Sequence, residues 1–290
     1  MTRLIKLEGI ITPLITPCLN GEFDGQSFKR IADMQLEAKI DGIFVLGTSG
    51  EFQYISLDGK KRVLDAAAEN YKGKITLIAG TTCDTLEETI ELTQYAQERG
   101  FDAVVLAPEY QMEMHALRYV RSVIEATQIP IVLYNYPKIS NGRMLDIGVV
   151  RELSKDSRLI GVKDSSGDME YFAQLQALRS GTFGVLQGSQ IRLKESLQSE
   201  LGIDGCVLGF LNIIPKETAS LYRNGMQGVF DDPNWELFDI LSAHSRRDGT
   251  AKSIKGIAYG MKLISSKELF PNNPGRIGTA QAIKTLIIIP

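Results

Sequence analysis

The sequence predicts an α/β chain folded as a (β/α)8 TIM barrel with a C-terminal helical appendage. Three observations carry this expectation. Eight short apolar runs recur along the chain, amphipathic segments of helical length separate them, and no GxGxxG follows the first run. Strict strand–helix alternation implies a parallel sheet. Eight units in the first 225 or so residues fit a closed barrel better than an open doubly wound sheet, whose dinucleotide fingerprint is missing.

The apolar runs are Gly9–Ile15, Gly42–Leu46, Ile75–Ala79, Ala103–Leu106, Ile129–Tyr134, Leu159–Val162, Phe183–Leu186 and Cys206–Leu208. Each is short, rich in β-branched residues and bounded by Gly, Pro, Asp or Asn, as expected of a strand buried on both faces. The segments between them read as helices over Gln26–Lys39, Leu57–Asn70, Thr85–Arg99, Met112–Thr127, Leu145–Lys155, Asp168–Arg179, Gln190–Leu201 and Pro215–Asn224. In the first, Phe28, Ile31, Met34, Leu36 and Ile40 recur at roughly helical spacing. Ser56 and Asp84 are placed to cap the second and third helices, and Pro215 to open the eighth.

Beyond about residue 225 the alternation stops. Asp231-Asp232-Pro233-Asn234 is a breaker, and helices are expected near Trp235–Ser245, Thr250–Leu263 and Gly278–Ile288. The expected organisation is a barrel over 1–225 with helices of 226–290 packed on it. The apolar Leu286–Ile289 stretch is expected to be buried or to meet a partner.

Composition excludes several classes. The 290 residues carry a net charge of −3 with 43% hydrophobic and 23% charged residues, and no run of Lys or Arg makes a basic patch for nucleic acid. No segment approaches the roughly 20 apolar residues of a membrane span. Cys18, Cys83 and Cys206 lie far apart without a CxxC pair, which suits a reducing compartment. The N-terminal stretch has no signal-peptide core, so the expected location is the cytoplasm. His115 and His244 fall in separate expected helices without ligand partners, so no metal is expected.

The polar residues that remain collect where active sites of such barrels sit, after the carboxyl ends of the strands. Gly47-Thr48-Ser49-Gly50-Glu51 follows the second strand and Pro108-Glu109-Tyr110 the fourth, while the fifth ends in Tyr134-Asn135-Tyr136-Pro137 and the sixth in Gly161-Val162-Lys163-Asp164. A desolvated lysine at a strand end has a lowered pKa and a free amine for nucleophilic attack, although a lysine paired with an acid fits the same position. The 47–51 turn offers backbone and hydroxyls to an anion, or is a plain βα turn. Tyr134 is placed to relay protons, or to pack as a core aromatic.

These motifs together resemble the dihydrodipicolinate synthase / N-acetylneuraminate lyase family of class I, pyruvate-dependent aldolases. The resemblance runs from Gly9-Ile10-Ile11-Thr12-Pro13 to about Pro215 and rests on GTSGE at 47–51, YNYP at 134–137, GVKD at 161–164 and GCVLGFLN at 205–212. It implies that Lys163 forms an imine with a 2-oxo acid, that Tyr134 shuttles protons, and that Thr48 and Ser49 hold the pyruvate carboxylate and link to Tyr134. It implies further that the Val207 backbone faces pyruvate, and that Tyr110 reaches a neighbouring subunit's site in a homotetramer, a dimer of dimers. The substrates are then pyruvate and an aldehyde, with no cofactor, because the lysine supplies the electron sink.

Dihydrodipicolinate synthases carry YNVPxRTG, whose arginine holds a substrate carboxylate; here Ile139 occupies that position, with Lys138 before it. Glu109 stands where a tyrosine is frequent, and Pro274-Gly275-Arg276 departs from the usual Arg-x-Pro-Leu. The YNYP form looks more like the 2-keto-3-deoxy-sugar-acid aldolases. The reading reached from the sequence is therefore reversible aldol cleavage of such a sugar acid. The alternatives are condensation of pyruvate with aspartate semialdehyde, dehydration of a sugar acid, and a non-catalytic barrel that binds a 2-oxo acid.

Overall fold

Eight parallel strands close on themselves in the computed structural model, which describes residues 7–110, 115–248 and 250–273. In chain order the strands are β1 Gly9–Pro13, β2 Cys18–Leu19, β3 Glu22–Phe23, β4 Gly42–Val45, β5 Thr76–Gly80, β6 Ala103–Leu106, β7 Ile131–Asn135, β8 Leu159–Asp164, β9 Gly184–Gln187 and β10 Gly205–Val207. The barrel runs β1-β10-β9-β8-β7-β6-β5-β4 and back to β1. The helices are α1 Gly25–Glu37, α2 Leu57–Tyr71, α3 Leu86–Arg99, α4 Ala116–Ala126, α5 Ile147–Leu153, α6 Met169–Gln176, α7 Leu193–Gln198, α8 Pro215–Gly225, α9 Asn234–Asp248 and α10 Thr250–Gly260. The barrel strands are buried almost throughout, because side chains fill the interior while the helices cover the outside.

Three aspartates stitch the amino-terminal rim. Asp41, Asp102 and Asp204 each immediately precede a strand and accept a backbone N–H from the neighbouring one: Ile10 N at 2.8 Å, Leu77 N at 2.8 Å and Val185 N at 2.9 Å. Arg179 holds Asp204 through two nitrogens, at 2.7 and 2.9 Å. The same Asp that marks a strand boundary in the sequence thus satisfies an orphan donor of the sheet.

The structure amends several sequence expectations. Strand β8 extends past the apolar run Leu159–Val162 to take in Lys163 and Asp164, because the ladder to β7 continues through Tyr134↔Lys163 and Asn135↔Asp164. Thr85, not Asp84, caps α3 by accepting Glu88 N. His115 caps α4 through Leu117 N at 3.3 Å instead of lying within the helix. The seventh helix is split, a single 3₁₀ turn at Gln190–Arg192 leading into α7.

The β2–β3 hairpin is a further addition, turned by Asn20 (φ 54°) and Gly21 (φ 84°). Its Asn-Gly pair is the strongest short-range hairpin signal and was present in the sequence. Residues 111–114, the expected helix at Gly278–Ile288, Leu286–Ile289 and Pro274-Gly275-Arg276 lie outside the described residues. No helix among the described residues is long and apolar enough to cross a membrane.

Helix α9 contacts the 3₁₀ turn after β9, and α10 contacts the turn at Gly209–Asn212 after β10. Both helices therefore stand at the carboxyl end of the barrel, where the site lies.

Candidate active site

A cleft of about 400 Å³ opens at the carboxyl end of the strands and is lined by Thr48, Ser49, Tyr134, Lys163 and Val207 among others. Five of the six residues singled out from the sequence therefore share one cavity.

Lys163 is the floor. It is 5% exposed, and its ammonium lies 4.0 Å from the centre of the Tyr134 ring and 5.2 Å from that of Phe44. Burial lowers its pKa from 10.5 to about 7, with the Asp164 charge pulling the other way. A substantial neutral fraction is then available near neutral pH, which a nucleophilic amine requires.

Strand alternation sends Lys163 and Asp164 to opposite faces. Asp164 accepts Asn135 Nδ2 at 2.6 Å and Ser166 Oγ at 2.8 Å. Desolvation still raises its carboxyl to about 6. Asn135 also accepts Leu145 N at 3.0 Å, so the acid behind the lysine is tied to the next loop.

Gly188, from the turn after β9, completes the lysine's seat. A Cβ there would collide with Ser165 Oγ, and would stand 2.8 Å from the Asp164 carbonyl and 2.9 Å from Lys163 Cε. Only hydrogen leaves room for the lysine stem.

Tyr134 stands beside Lys163. Its hydroxyl is 3.3 Å from Thr48 Oγ1, and its ring stacks on Tyr136 at 5.8 Å and 20°. Burial pushes the phenol pKa up, helped by Tyr136 and opposed by the hydroxyls of Thr48 and Ser165. The free phenol therefore keeps its proton, ready for donation.

The turn that carries Thr48 and Ser49 is tightly held. Leu46 (φ 58°) and Glu51 (φ 60°) bracket it, both left-handed and neither glycine, at a cost of about 1 kcal/mol each. Such conformations persist where the surroundings over-determine them, often at ligand clamps. Gly50 has no slack, since a Cβ would meet the Leu14 carbonyl at 2.9 Å and Thr16 Oγ1 at 3.0 Å.

Glu51 is the anchor, a role that its place in the 47–51 motif did not reveal. Its carboxylate is 1% exposed and pairs with Lys255 of α10, which is fully buried. It also accepts Phe270 N at 3.0 Å and Asn273 Nδ2 at 2.8 Å. Lys255 in turn donates to the Glu268 carbonyl at 2.9 Å and lies 5.2 Å from the Phe270 ring centre. Ala251, Lys252, Leu269 and Asn273, from the same elements, form the outer wall of the cleft.

Tyr110 is the exception among the expected residues. It is 3% exposed, its ring meets Phe52 edge-on at 5.2 Å, and it does not line the cleft. Burial pushes its phenol up to about 12, and its hydroxyl meets the side chain of Gln53, which does line the cleft. Ile139 also stays off the cleft, packed against the core from the 3₁₀ turn Pro137–Ile139, whereas Lys138 beside it lines the mouth.

The model of the dihydrodipicolinate synthetase family matches residues 6–264. A curated relative, the 4-hydroxy-tetrahydrodipicolinate synthase of Sulfurihydrogenibium sp., is 28% identical over 270 residues, which cover 90% of each chain. The solved 4-hydroxy-tetrahydrodipicolinate synthase from Methylacidiphilum fumariolicum is similar with a TM-score of 0.83 at 27% identity, covering 93% of this chain and 91% of its own. A 2-keto 3-deoxygluconate aldolase from Picrophilus torridus is similar with a TM-score of 0.70, also at 27% identity, covering 92% and 90%.

Proposed function

The chain belongs to the dihydrodipicolinate synthetase family of class I, pyruvate-dependent aldolases and lyases, and we propose that Lys163 is its imine-forming residue. The observation that carries this reading is the register of Tyr134 with Lys163, which sets a buried amine beside a protonated phenol at the end of an otherwise apolar barrel.

The proposed steps are those that the family resemblance implies and the geometry supports. The neutral Lys163 amine attacks the 2-oxo carbon while Thr48 and Ser49 hold the carboxylate and the Val207 backbone faces the substrate. Tyr134 gives its proton to the departing hydroxyl, and water leaves. The protonated imine withdraws electrons from the adjacent methyl carbon, whose proton returns to the Tyr134 oxygen. The resulting enamine attacks an aldehyde carbonyl and forms the carbon–carbon bond, and the alkoxide so generated takes the proton back from Tyr134. Hydrolysis of the imine frees the lysine, and the reverse sequence cleaves the bond.

For the second substrate, the names of the relatives support 4-hydroxy-tetrahydrodipicolinate synthase, the condensation of pyruvate with aspartate semialdehyde. The order of the two readings reached from the sequence is thereby reversed. Cleavage of a 2-keto-3-deoxy sugar acid remains as a second reading on one observation. Ile139 stays off the cleft, whose lining includes Ser165, Ser166, Ser189 and Gln190, hydrogen-bonding groups suited to a polyol, along with Lys138 beside Ile139. A homotetramer in which Tyr110 acts through Gln53 or across a subunit boundary belongs to the same proposal.

Borohydride treatment with pyruvate, followed by intact-protein and peptide mass, tests the imine. A reduced adduct on Lys163 is expected, and its absence at saturating pyruvate defeats the reading. Product analysis with each candidate partner then separates a cyclised dicarboxylate, pyruvate plus an aldehyde, and loss of water.

A further inference from the structure

We propose that the buried Glu51–Lys255 ion pair is a positioning device for the pyruvate carboxylate, through which the C-terminal helices set the Thr48–Ser49 turn. The inference rests on the imine reading above.

Three observations lead to it. First, the pair joins elements that are remote in sequence: the turn after β4, helix α10 and the segment 268–273. All three contribute residues to the cleft wall. Second, the pair is sealed from water, with Lys255 at 0% and Glu51 at 1% exposure. A lone charge at either place would be strongly unfavourable, so each side chain holds the other in place. Third, Glu51 has left-handed backbone, a conformation that relaxes unless something outside the turn fixes it.

The carboxylate supplies that restraint by three links at once, to Lys255, Phe270 N and Asn273. Thr48 lies three residues before Glu51, whose N–H donates back to the Thr48 carbonyl at 3.1 Å. A shift of Glu51 therefore moves Thr48, and with it the contact to Tyr134. Burial lowers the Lys255 pKa while Glu51 opposes the fall, so removing the carboxylate also favours loss of the lysine charge. Lys255 does not line the cleft, and the Glu51 carboxylate is taken up by Lys255, Phe270 N and Asn273, so both act through Thr48 and Ser49.

The test compares wild type with Glu51→Gln, Lys255→Met, the double variant and Asn273→Ala. Two quantities are measured: the borohydride-trapped pyruvate adduct at saturating pyruvate, and the pyruvate concentration giving half-maximal trapping. All variants are expected to form the adduct on Lys163. The half-saturating concentration should rise by ~10-fold or more in each charge variant, as misplacement of a binding group implies. The double variant should be no worse than the poorer single one, because its buried charges are removed together. Asn273→Ala keeps both charges and removes the charge-assisted hydrogen bond from its amide to the Glu51 carboxylate, so it reports on the same anchor even where a charge variant fails to fold; a rise of at least about 3-fold is expected.

Lower melting temperatures with half-saturation within twofold of wild type in every folded variant would make the pair merely structural and overturn the proposal. Failure of wild type to form any adduct would defeat the imine reading instead, and the two failures are thereby distinguished.

Discussion

Lys163 and Tyr134 face each other in register across β8 and β7, with the lysine nitrogen 4.0 Å from the centre of the phenol ring. Neighbouring in-register residues of parallel strands point to the same side, so both side chains enter the barrel mouth together. In the proposed imine reading, this pairing sets the nucleophile and the proton carrier beside one substrate atom.

Replacing Lys163 by Met should abolish adduct formation and stabilise the fold. Its pKa is about 7 in the folded chain against 10.5 ordinarily, so between those values the unfolded chain binds the proton and the folded one does not. The cost of burial is full below about pH 7 and is relieved as pH rises toward 10.5. Thermal melts should show the Lys163→Met gain, on the order of a few kcal/mol, largest at and below pH 7. A variant less stable than wild type at pH 6 would contradict the desolvation argument.

Tyr134→Phe keeps the ring beneath Lys163 and against Tyr136, and removes only the hydroxyl that meets Thr48. Turnover should fall by roughly 10²–10⁴-fold, the usual worth of a positioned proton donor. The pyruvate adduct should still form, slowly, under borohydride. Turnover within a factor of three of wild type would remove Tyr134 from the relay.

Gly188→Ala would thrust a methyl group into Ser165, the Asp164 carbonyl and Lys163 Cε. Overpacking of this kind costs about 1–3 kcal/mol of stability. The displaced lysine should form imine on the order of 10²-fold more slowly. Stopped-flow or quenched trapping reads the rate, and an unaffected rate would mean the lysine seat is looser than the packing indicates.

Asp164→Asn should move the pH profile. The Asp164 carboxyl is raised to about 6 from 3.8, so the folded chain holds a proton that the unfolded chain has released between those values. Its contribution to stability is full below about pH 3.8 and is lost as pH rises through about 6. The neutral variant should therefore lose that decline and melt no lower than wild type at pH 7 to 8. Without the Asp164 charge, the Lys163 pKa drops further, and the midpoint of imine formation should move below about 7. An unchanged or higher midpoint would show that Asp164 does not act on Lys163.

Much of this molecule was written in local patterns. Runs such as Ala103–Leu106 are strands because a barrel strand has no wet face, and that leaves an apolar signature any window can detect. Ser56 and Pro215 mark helix starts because caps and first turns are local chemistry. The motifs at 47–51, 134–137 and 161–164 pointed to Lys163, Tyr134, Thr48 and Ser49, which the closed barrel brings to one cleft together with Val207.

The sequence by itself thus determined the barrel, the order of its elements and the end at which the site stands, because periodicity and capping depend on near neighbours. The tertiary structure alone decided which charges are silent and which are structural. Lys255 in an amphipathic helix reads as one more solvated lysine, and becomes the anchor of the site only when Glu51, about two hundred residues earlier, is folded against it out of water. Tyr110 likewise reads as a rim residue and is found in the core on Phe52. The physical reason is the same for both: solvation and pairing are set by what the chain brings together in space, and no local stretch of sequence records the partner.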